Sequence, residues 1–417
     1  MAGGMTGLQP PRGTHDLIGE TMRRHRHVVQ TAAKVLGTYG FEEWSTPIFE
    51  DTRVFARTLG EASDVVSKEM YSFEDRGGDS ITLRPENTAS ICRALVTNGL
   101  TQSLPQKAWY NGPMFRYERP QKGRYRQFHQ IGAELIGADG PLRDAEVIAM
   151  AFDVLKALGL ADDVVLELNT LGDVASRQAW RDALVAYFRQ HVDALSDDSR
   201  TRLDVNPLRI LDSKAAQDRA LLDDAPRFAD YLNEESQRFW DELRAHLDAF
   251  GVPFTENPRI VRGLDYYSHT AFEFVTTKLG AQGTVLAGGR YEGLVAQMGG
   301  PETPAIGWAG GIERLALLLD DVPAVPAGIA IVPMGDAAVQ KSASLVRALR
   351  QAGQRAEIET RGNMKKRMER VVKSGASHAV VLGDDEVARG VVQLRDLTAR
   401  EQREVAFDDV VQSLTGA

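Results

Sequence analysis

The chain has 417 residues, of which 43% are hydrophobic and 26% are charged, and this length predicts two or three domains of an ordinary globular protein. No run of about 18 apolar residues occurs, so we expect no membrane-spanning helix, and the first residues lack the pattern of a secretory signal. One cysteine, Cys92, excludes an internal disulfide and a cysteine metal cluster. We expect a packed thiol and a cytoplasmic setting. The net charge of −9 argues against a uniformly basic nucleic-acid binder but leaves local patches open.

The first predicted elements are a helix over residues 20–37, ended by glycine, and a strand over residues 41–50 that Pro47 interrupts. A short strand at residues 80–83 precedes a second helix, and Pro85 suits the first position of that helix. A carboxylate at Glu86 would stabilise the positive end of the helix dipole, which gives this residue a purely structural interpretation.

A charged hairpin is predicted over residues 114–136, with strands at 114–118 and about 126–136 around a loop centred on Lys122 and Gly123. Alternation along the second strand places an aromatic ring, an amide, a glycine and a carboxylate on one face: Phe128, Gln130, Gly132 and Glu134. Arg116 and Glu118 share a face of the first strand, and guanidinium groups suit phosphate oxygens. Taken alone, this pattern is also typical of an exposed hairpin with solvated charges.

Residues 169–247 are polar with a helical pattern and no strand alternation, so we expect a helical insertion without catalytic residues. The sequence Arg-Gly-Leu-Asp-Tyr-Tyr follows at residues 262–267. Adjacent tyrosines on a strand face opposite ways, so at most one of Tyr266 and Tyr267 lines a given pocket; an aromatic core strand is the alternative interpretation. We expect His269, just beyond them, to be structural.

Two glycine-rich stretches come next. Gly-Gly-Arg-Tyr-Glu-Gly-Leu, at residues 288–294, permits close backbone approach to a ligand or tight turns, but it is not a dinucleotide-binding loop, because it lacks a βαβ context. Residues 307–318 predict a glycine-rich strand that enters an apolar helix. Arg314 at the start of that helix opposes the helix dipole, and an anionic ligand there would explain it.

A linker with two prolines covers residues 320–327, and strand and helix patterns alternate beyond it, which predicts a small α/β domain. Its helix at about residues 364–374 carries five basic side chains. This helix could bind phosphates or could be an ordinary solvated face, and the sequence leaves both interpretations open.

Together, these motifs resemble the class II aminoacyl-tRNA synthetases, in the form found in the histidyl-tRNA synthetase family. Residues 41–50, 114–136 and 307–318 are similar to motifs 1, 2 and 3, while residues 262–267 are similar to a histidine-specific motif. Asn87 departs from the glycine that the family usually has. The resemblance implies an α+β fold with an antiparallel sheet flanked by helices, a catalytic core over residues 1–325 including a helical insertion at about 170–247, and an anticodon-binding α/β domain over residues 326–417.

The resemblance also implies a reaction and its participants. Histidine and ATP would form histidyl-adenylate, whose histidyl group passes to the 3′ end of tRNA(His), in a homodimer built on motif 1. Mg²⁺ would be held mainly by substrate oxygens, since no Asp/Glu/His cluster in the sequence indicates a protein metal site. The alternative is a non-catalytic histidine-binding paralogue, such as the regulatory subunit of ATP phosphoribosyltransferase.

Residue roles follow from the same resemblance. The catalytic residues would be Arg116 and Arg262, and the ATP-binding residues would be Arg116, Glu118, Arg124, Phe128 and Arg314. The histidine-binding residues would be Glu86, Thr88, Gln130, Glu134, Arg262, Tyr266 and Tyr267, with Glu134 and Tyr267 at the imidazole nitrogens. The tRNA-binding residues would be Gln121, Lys365, Lys366, Arg367 and Arg370.

Overall fold

The computed structural model describes residues 8–415 except 57–67, 122, 206, 212, 214, 261–266, 281–282 and 323. The chain divides into two compact units, residues 1–322 and 323–417. Among the described residues, no helix combines the length and apolarity needed to cross a membrane.

The elements of the first unit are, in chain order, α1 (Glu20–Thr38), β1 (Glu42–Glu43), β2 (Phe49–Asp51), α2 (Thr52–Ala56), β3 (Tyr71–Glu74), β4 (Ser80–Leu83), α3 (Thr88–Thr97), β5 (Gln106–Phe115), β6 (Gln127–Ile136), α4 (Pro141–Ala157), β7 (Val165–Thr170), α5 (Val174–Gln190), α6 (Asp197–Val205), α7 (Ala216–Leu222), α8 (Glu234–Phe250), β8 (Thr255–Glu256), β9 (Tyr267–Val275), β10 (Thr284–Tyr291), α9 (Leu294–Gln297), β11 (Ala305–Gly311) and α10 (Ile312–Leu318).

Most of these strands form one large sheet in the order β1-β5-β6-β11-β10-β9-β7-β8. The six central strands pair antiparallel, and only the short edge strands β1 and β8 pair parallel with their neighbours. The predicted antiparallel sheet is therefore confirmed. Strands β2, β4 and β3 form a separate antiparallel sheet.

Helices cover one face of the large sheet and create the main core. Helix α4 has buried side chains around most of its surface, among them Val147, Ile148, Met150 and Val154, because it lies between the sheet and the other helices. It packs against α1 and α8. On the opposite face, α3 buries Ile91, Cys92 and Leu95 in a second cluster; Cys92 is thus a packed thiol, as predicted.

Helices α5, α6 and α7 enclose a small core of their own, formed by Leu184, Phe188, Leu195, Leu203, Ile210 and Ala225. Beside it, the buried carboxylate of Asp218 accepts hydrogen bonds from three serine hydroxyls, at 2.5 to 2.7 Å. These bonds hold the pKa of Asp218 down, at about 2. The segment is therefore a helical body with its own packing and its own polar anchor.

The second unit contains β12 (Ile329–Met334), α11 (Asp336–Gln351), β13 (Ala356–Ile358), α12 (Met364–Lys373), β14 (His378–Gly383), α13 (Asp384–Arg389), β15 (Val391–Asp396), β16 (Glu401–Ala406) and α14 (Val410–Thr415). Its sheet has the order β13-β12-β14-β15-β16. The first three strands pair parallel and the last two pairings are antiparallel. The predicted α/β character is confirmed.

The break predicted at Pro47 is confirmed, and the two strands on either side of it lie in different sheets. Two predicted boundaries are wrong. The first hairpin strand ends at Phe115 rather than at residue 118, because the chain turns away to line a cavity. Helix α3 begins at Thr88, three residues after Pro85.

Candidate active site

Two adjoining cavities open on the face of the large sheet that carries the even-numbered residues 128–134 of β6. The smaller, of about 90 Å³, is lined by the predicted residues Glu86, Thr88, Gln130, Glu134 and Tyr267, together with Tyr291 and Gly307. The larger, of about 300 Å³, is lined by Glu118, Arg124, Phe128 and Arg314. Both cavities are lined by Arg116, Gln130 and Tyr267. The structure thus brings the described members of the two predicted residue sets into neighbouring spaces with a shared wall.

Glu134 is the most deeply buried acid of the smaller cavity, with 1% of its surface exposed. The Thr88 hydroxyl donates to one carboxylate oxygen at 2.7 Å and the Tyr291 hydroxyl to the other at 2.9 Å. Burial raises the pKa of Glu134 to about 8, although both hydroxyls favour the charged form. The group therefore titrates near neutral pH, where it can either donate or accept a proton.

Glycines on β6 and β11 keep the space around Glu134 open. A Cβ atom at Gly307 of β11 would lie 1.7 Å from Glu134 Oε2. A Cβ atom at Gly132 would lie 2.4 Å from the hydroxyl of buried Tyr110. The glycine at position 307 therefore has a steric reason, because no larger residue fits beside the carboxylate.

Glu86 precedes α3 and caps it. Its carboxylate accepts from the backbone N–H groups of Thr88 and Ala89, at 2.5 and 3.0 Å, and burial raises its pKa. Glu86 thus stabilises the start of the helix, as the structural interpretation predicted, and the same carboxylate also lines the smaller cavity.

Asn87, which departs from the family's usual glycine, is fully buried. Its amide oxygen accepts from the Thr46 hydroxyl at 2.8 Å and from Arg84 at 3.1 Å. The side chain therefore ties the start of α3 to the segment before β2, behind the cavity.

Three guanidinium groups converge on the larger cavity. Arg116 donates to the Pro85 carbonyl at 2.8 Å, and Arg124 pairs with Glu118 at 2.6 Å. Arg314 donates to the carbonyls of Gly123 and Thr284. Burial lowers the pKa of Arg314, and the neighbouring positive charge of Arg124 lowers it further. An anion between these groups would relieve that repulsion.

An aromatic ring completes the larger cavity. Phe128 lies with its ring centroid 5.3 Å from the Arg116 guanidinium carbon, a cation–π geometry. The ring is half-buried and offers a flat face beside the cationic side of the cavity.

Some predicted residues lie elsewhere. Arg262 and Tyr266 are outside the described residues. Gln121 is exposed in the hairpin loop, where its backbone exchanges two hydrogen bonds with that of Arg124.

The basic helix α12 is less uniform than its sequence indicates. Arg367 donates to the backbone carbonyls of Gly362 and Pro333, and Arg370 binds the Glu359 carboxylate at 2.8 and 2.9 Å. Both arginines therefore have structural partners within the second unit. Lys365 and Lys366 are exposed.

Sequence reasoning missed Tyr291 and misjudged the glycines beside it. A Cβ at Gly288 would lie 2.2 Å from the Gly307 carbonyl oxygen, so this glycine allows close strand packing rather than approach to a ligand. Alternation along β10 gave a usable signal: Gly289 and Tyr291 face the cavity side, while Arg290 faces the helices. There Arg290 forms a fully buried ion pair with Asp144 of α4, at 2.6 Å.

A cluster of His25, His129 and Glu313 lies behind the larger cavity, although the sequence had indicated no such grouping. One potential ligand atom from each residue lies within 4.8 Å of the others. The Glu313 carboxylate accepts from the backbone N–H of His129 at 2.9 and 3.0 Å and contacts its Nδ1 at 2.8 Å. These bonds give the cluster a structural role, because they tie α10, which carries Arg314, to β6.

An antiparallel sheet that presents three converging arginines beside a small, acid-lined pocket has the architecture of a class II aminoacyl-tRNA synthetase. Comparison with family models agrees. A model described as histidyl-tRNA synthetase matches residues 13–315, and a model described as anticodon binding domain matches residues 328–416. The chain belongs to the histidyl-tRNA synthetase family.

Individual relatives are similar over nearly their whole length. The chain is 80% identical to a histidine–tRNA ligase of Gluconobacter oxydans, covering 99% of each chain, and 54% identical to that of Rhodospirillum rubrum, covering 97% of each. Among solved structures, the apo histidyl-tRNA synthetase of S. aureus superposes with a TM-score of 0.83 at 36% identity, covering 98% of this chain and 100% of that one.

A structure titled as an ATP phosphoribosyltransferase regulatory subunit/histidyl-tRNA synthetase, from Bacillus halodurans, matches with a TM-score of 0.66 but only 19% identity. That likeness shows the fold alone. The high-identity relatives are ligases, so they support the synthetase interpretation over the non-catalytic paralogue.

The Glu134 carboxyl should titrate near pH 8 in the free protein, and Thr88→Val should raise its pKa by roughly one further pH unit, because one hydrogen bond to the charged form is lost. Carbon-13 NMR of glutamate-labelled protein measures this, with Glu134→Gln to assign the signal. Thr97→Val, at the exposed end of the same helix, is the control and should leave the titration unchanged. A wild-type midpoint near 4.5 would contradict the burial argument.

Proposed function

We propose that this chain activates L-histidine with ATP, forming histidyl-adenylate and pyrophosphate, and then transfers the histidyl group to the 3′ end of tRNA(His). The observation that carries the proposal is the shared wall of the two cavities, where Arg116 borders both. An amino acid in the smaller space and a nucleotide in the larger one would meet there. We place the reaction in the cytoplasm, a reducing setting compatible with the single, buried thiol of Cys92.

The first step brings two anions together. A histidine carboxylate oxygen attacks the α-phosphorus of ATP, the bond from that phosphorus to the bridging oxygen breaks, and pyrophosphate leaves. Arg116 at the shared wall lowers the repulsion and stabilises the charge that develops on the phosphoryl oxygens. Arg262, assigned from the sequence motif, is the second cation of this centre.

Nucleotide binding is assigned to the larger cavity. Arg124 and Arg314 would hold the terminal phosphates, and the Phe128 ring would stack on the adenine. Glu118, paired with Arg124 at 2.6 Å, holds that guanidinium in place. Mg²⁺ would be held here mainly by substrate oxygens and would neutralise part of the phosphate charge.

Histidine recognition is assigned to the smaller cavity. Both imidazole nitrogens need partners, because a buried unpaired nitrogen is costly; Glu134 and Tyr267 would supply them. Gln130 Oε1 is buried and has no hydrogen-bond partner among the described residues, so it is a ready acceptor for the α-amino group, beside Glu86. The Thr88 hydroxyl already donates to Glu134, so Thr88 would contribute mainly by holding that carboxylate.

Histidine-dependent exchange between ATP and pyrophosphate, with magnesium, tests the first step.

Gly307→Ala should weaken histidine binding roughly tenfold to a hundredfold, because its Cβ would displace the Glu134 carboxylate. ATP affinity should barely change. Gly310→Ala on the same strand is the matched control, since its Cβ would meet its nearest atoms at an ordinary 3.5 Å. Glu134→Gln, which preserves volume, should also weaken histidine binding selectively. Folded wild-type protein without exchange activity would end the proposal.

tRNA binding is assigned in part to the second unit. Because Arg367 and Arg370 have partners within that unit, the exposed lysines of α12 are the better candidates for phosphate contacts. Gln121, in the exposed hairpin loop of the first unit, is the candidate contact there.

Replacing Lys365 and Lys366 together by alanine should weaken tRNA binding and reduce the slope of log affinity against log salt by about two, one for each lost phosphate contact. Filter binding over a salt series measures this. Arg347→Ala, exposed on α11, is the control and should leave the slope unchanged. An unchanged slope in the double variant would make α12 an ordinary solvated face.

A homodimer is proposed from an uncovered apolar sheet face. Phe49 and Phe73 lie on opposite edges of the β2-β4-β3 sheet and are 52% and 50% exposed. The residues paired with them on the central strand β4 are Leu83 and Ile81, whose side chains lie on the same face of the sheet. A row of apolar side chains of this kind is typical of a protein interface. The preceding segment is the one that is similar to motif 1, so a second copy of the chain is the expected partner.

Phe73→Asp should shift the protein towards monomer, because a carboxylate would be buried against apolar groups. Sedimentation equilibrium measures the change. Val192→Asp, which alters a 38% exposed side chain in the helical segment, is the control and should retain the wild-type association state. A wild-type protein that is monomeric at micromolar concentration would contradict the proposal.

A further inference from the structure

The helical segment that contains α5, α6 and α7 begins and ends at the same place, where the start of α5 meets the start of α8. Asp173 caps α5 by accepting from the Ser176 N–H at 2.7 Å, and Asn233 caps α8 by accepting from the Ser236 N–H at 2.8 Å. The two caps are also joined to each other, since the Asn233 amide donates to the Asp173 carboxylate at 2.6 Å. We call these four residues the clasp.

At each helix start, the backbone N–H of the capping residue also donates to the serine hydroxyl at the start of the other helix. The Asp173 N–H donates to the Ser236 hydroxyl at 3.2 Å, and the Asn233 N–H donates to the Ser176 hydroxyl at 3.1 Å. Ser176 and Ser236 are buried. The clasp is therefore reciprocal, and the positions of α5 and α8 at this point depend on one another.

The clasp lies next to the strand that supplies Tyr267 to both cavities. Arg177, in the first turn of α5, donates through Nη1 to the Tyr267 backbone carbonyl. His269, two residues further, donates to the Gly172 carbonyl at 2.9 Å and accepts from the Leu171 N–H at 2.6 Å. The start of β9 is thus bonded at two points, Tyr267 and His269, to the chain that enters the helical segment.

Helix α8 contacts the same strand from its own side. The His269 ring stacks on Phe239 of α8, with centroids 4.5 Å apart and planes 21° apart. Phe239 lies in turn 5.3 Å from the guanidinium carbon of buried Arg290. His269 has a positive φ of 43°, a conformation that costs a residue with a side chain energy and persists where the surroundings impose it.

We propose that Arg177 is a positioning residue for Tyr267, and that through this bond and the clasp the placement of the helical segment sets the affinity of the smaller cavity for its ligand. The inference rests on the proposed function in one respect, namely that the ligand is histidine. Arg177 touches no substrate in this account; it fixes the backbone from which the Tyr267 side chain enters the cavity. Any partner that moves the helical segment then alters histidine affinity, and histidine alters the affinity for that partner by the same factor.

Calorimetric titration of the full chain with histidine, and separately with ATP, tests this. Arg177→Ala should weaken histidine binding about tenfold, the usual effect of losing a charged hydrogen bond, and leave ATP binding unchanged. In pyrophosphate exchange, KM for histidine should rise about tenfold while kcat at saturating histidine stays within roughly threefold. Arg177→Lys should restore much of the affinity, since an ammonium can also donate to the carbonyl. Arg181→Ala, one turn on and exposed, is the matched control and should behave as wild type.

A second variant tests the clasp without altering Arg177. Asn233→Asp keeps an α8 cap but sets two carboxylates against each other, so it should open the clasp and weaken histidine binding severalfold. Unchanged affinity in this variant would overturn the coupling, and equal affinities of wild type and Arg177→Ala would overturn the positioning role. A wild-type protein that binds no histidine would contradict the proposed function itself, which separates the two failures.

Discussion

The structure depends most on the burial of one acid, Glu134, beneath the face of an antiparallel sheet. Removing a carboxyl group from water raises its pKa from 4.5 to about 8, which corresponds to a penalty on the order of 5 kcal/mol for the charged form. Because the folded-state pKa lies above that of the unfolded chain, the contribution of this group to stability is fully present below about pH 4.5 and is lost as the pH rises from there to about 8. A site of this kind persists only if its surroundings are fixed.

The surroundings are fixed by packing on both sides of the sheet. Gly307 allows β11 to run close to Glu134, and Tyr291 donates to it from β10. The next residue along β10, Arg290, faces the other way and is locked to Asp144 within the helical layer. Breaking that pair would leave a buried charge without a partner, which is strongly destabilising. Two successive residues of β10 therefore act on opposite faces of the sheet. Arg290 fixes β10 to α4, and Tyr291 orients the Glu134 carboxylate in the smaller cavity.

Much of this arrangement could be predicted from the sequence, and the reasons are local. The alternation of residues 128–134 places Phe128, Gln130 and Glu134 on one face whatever the rest of the fold, and the glycine-rich run before Arg314 indicates a strand that enters a helix. The partners could not be predicted, because they come from distant elements. Nothing near Glu134 in sequence indicates Tyr291, and nothing in the basic run of α12 shows that Arg370 would bind Glu359. One boundary failed for a local reason, because the Glu86 carboxylate caps the helix, which therefore begins at Thr88 and not at Pro85.

The helical segment is joined to the rest of the first unit beside the same site. Its small core and the Asp218 network make it a separately packed body, and the clasp joins the start of that body to the start of α8 by directional hydrogen bonds. In hinge motions, a few loop or element-terminal residues absorb the change, and the clasp lies at two such helix starts. The connection lies beside Tyr267, at the wall shared by both cavities. The proposed coupling would therefore act on the smaller cavity through β9, the strand that begins at that wall.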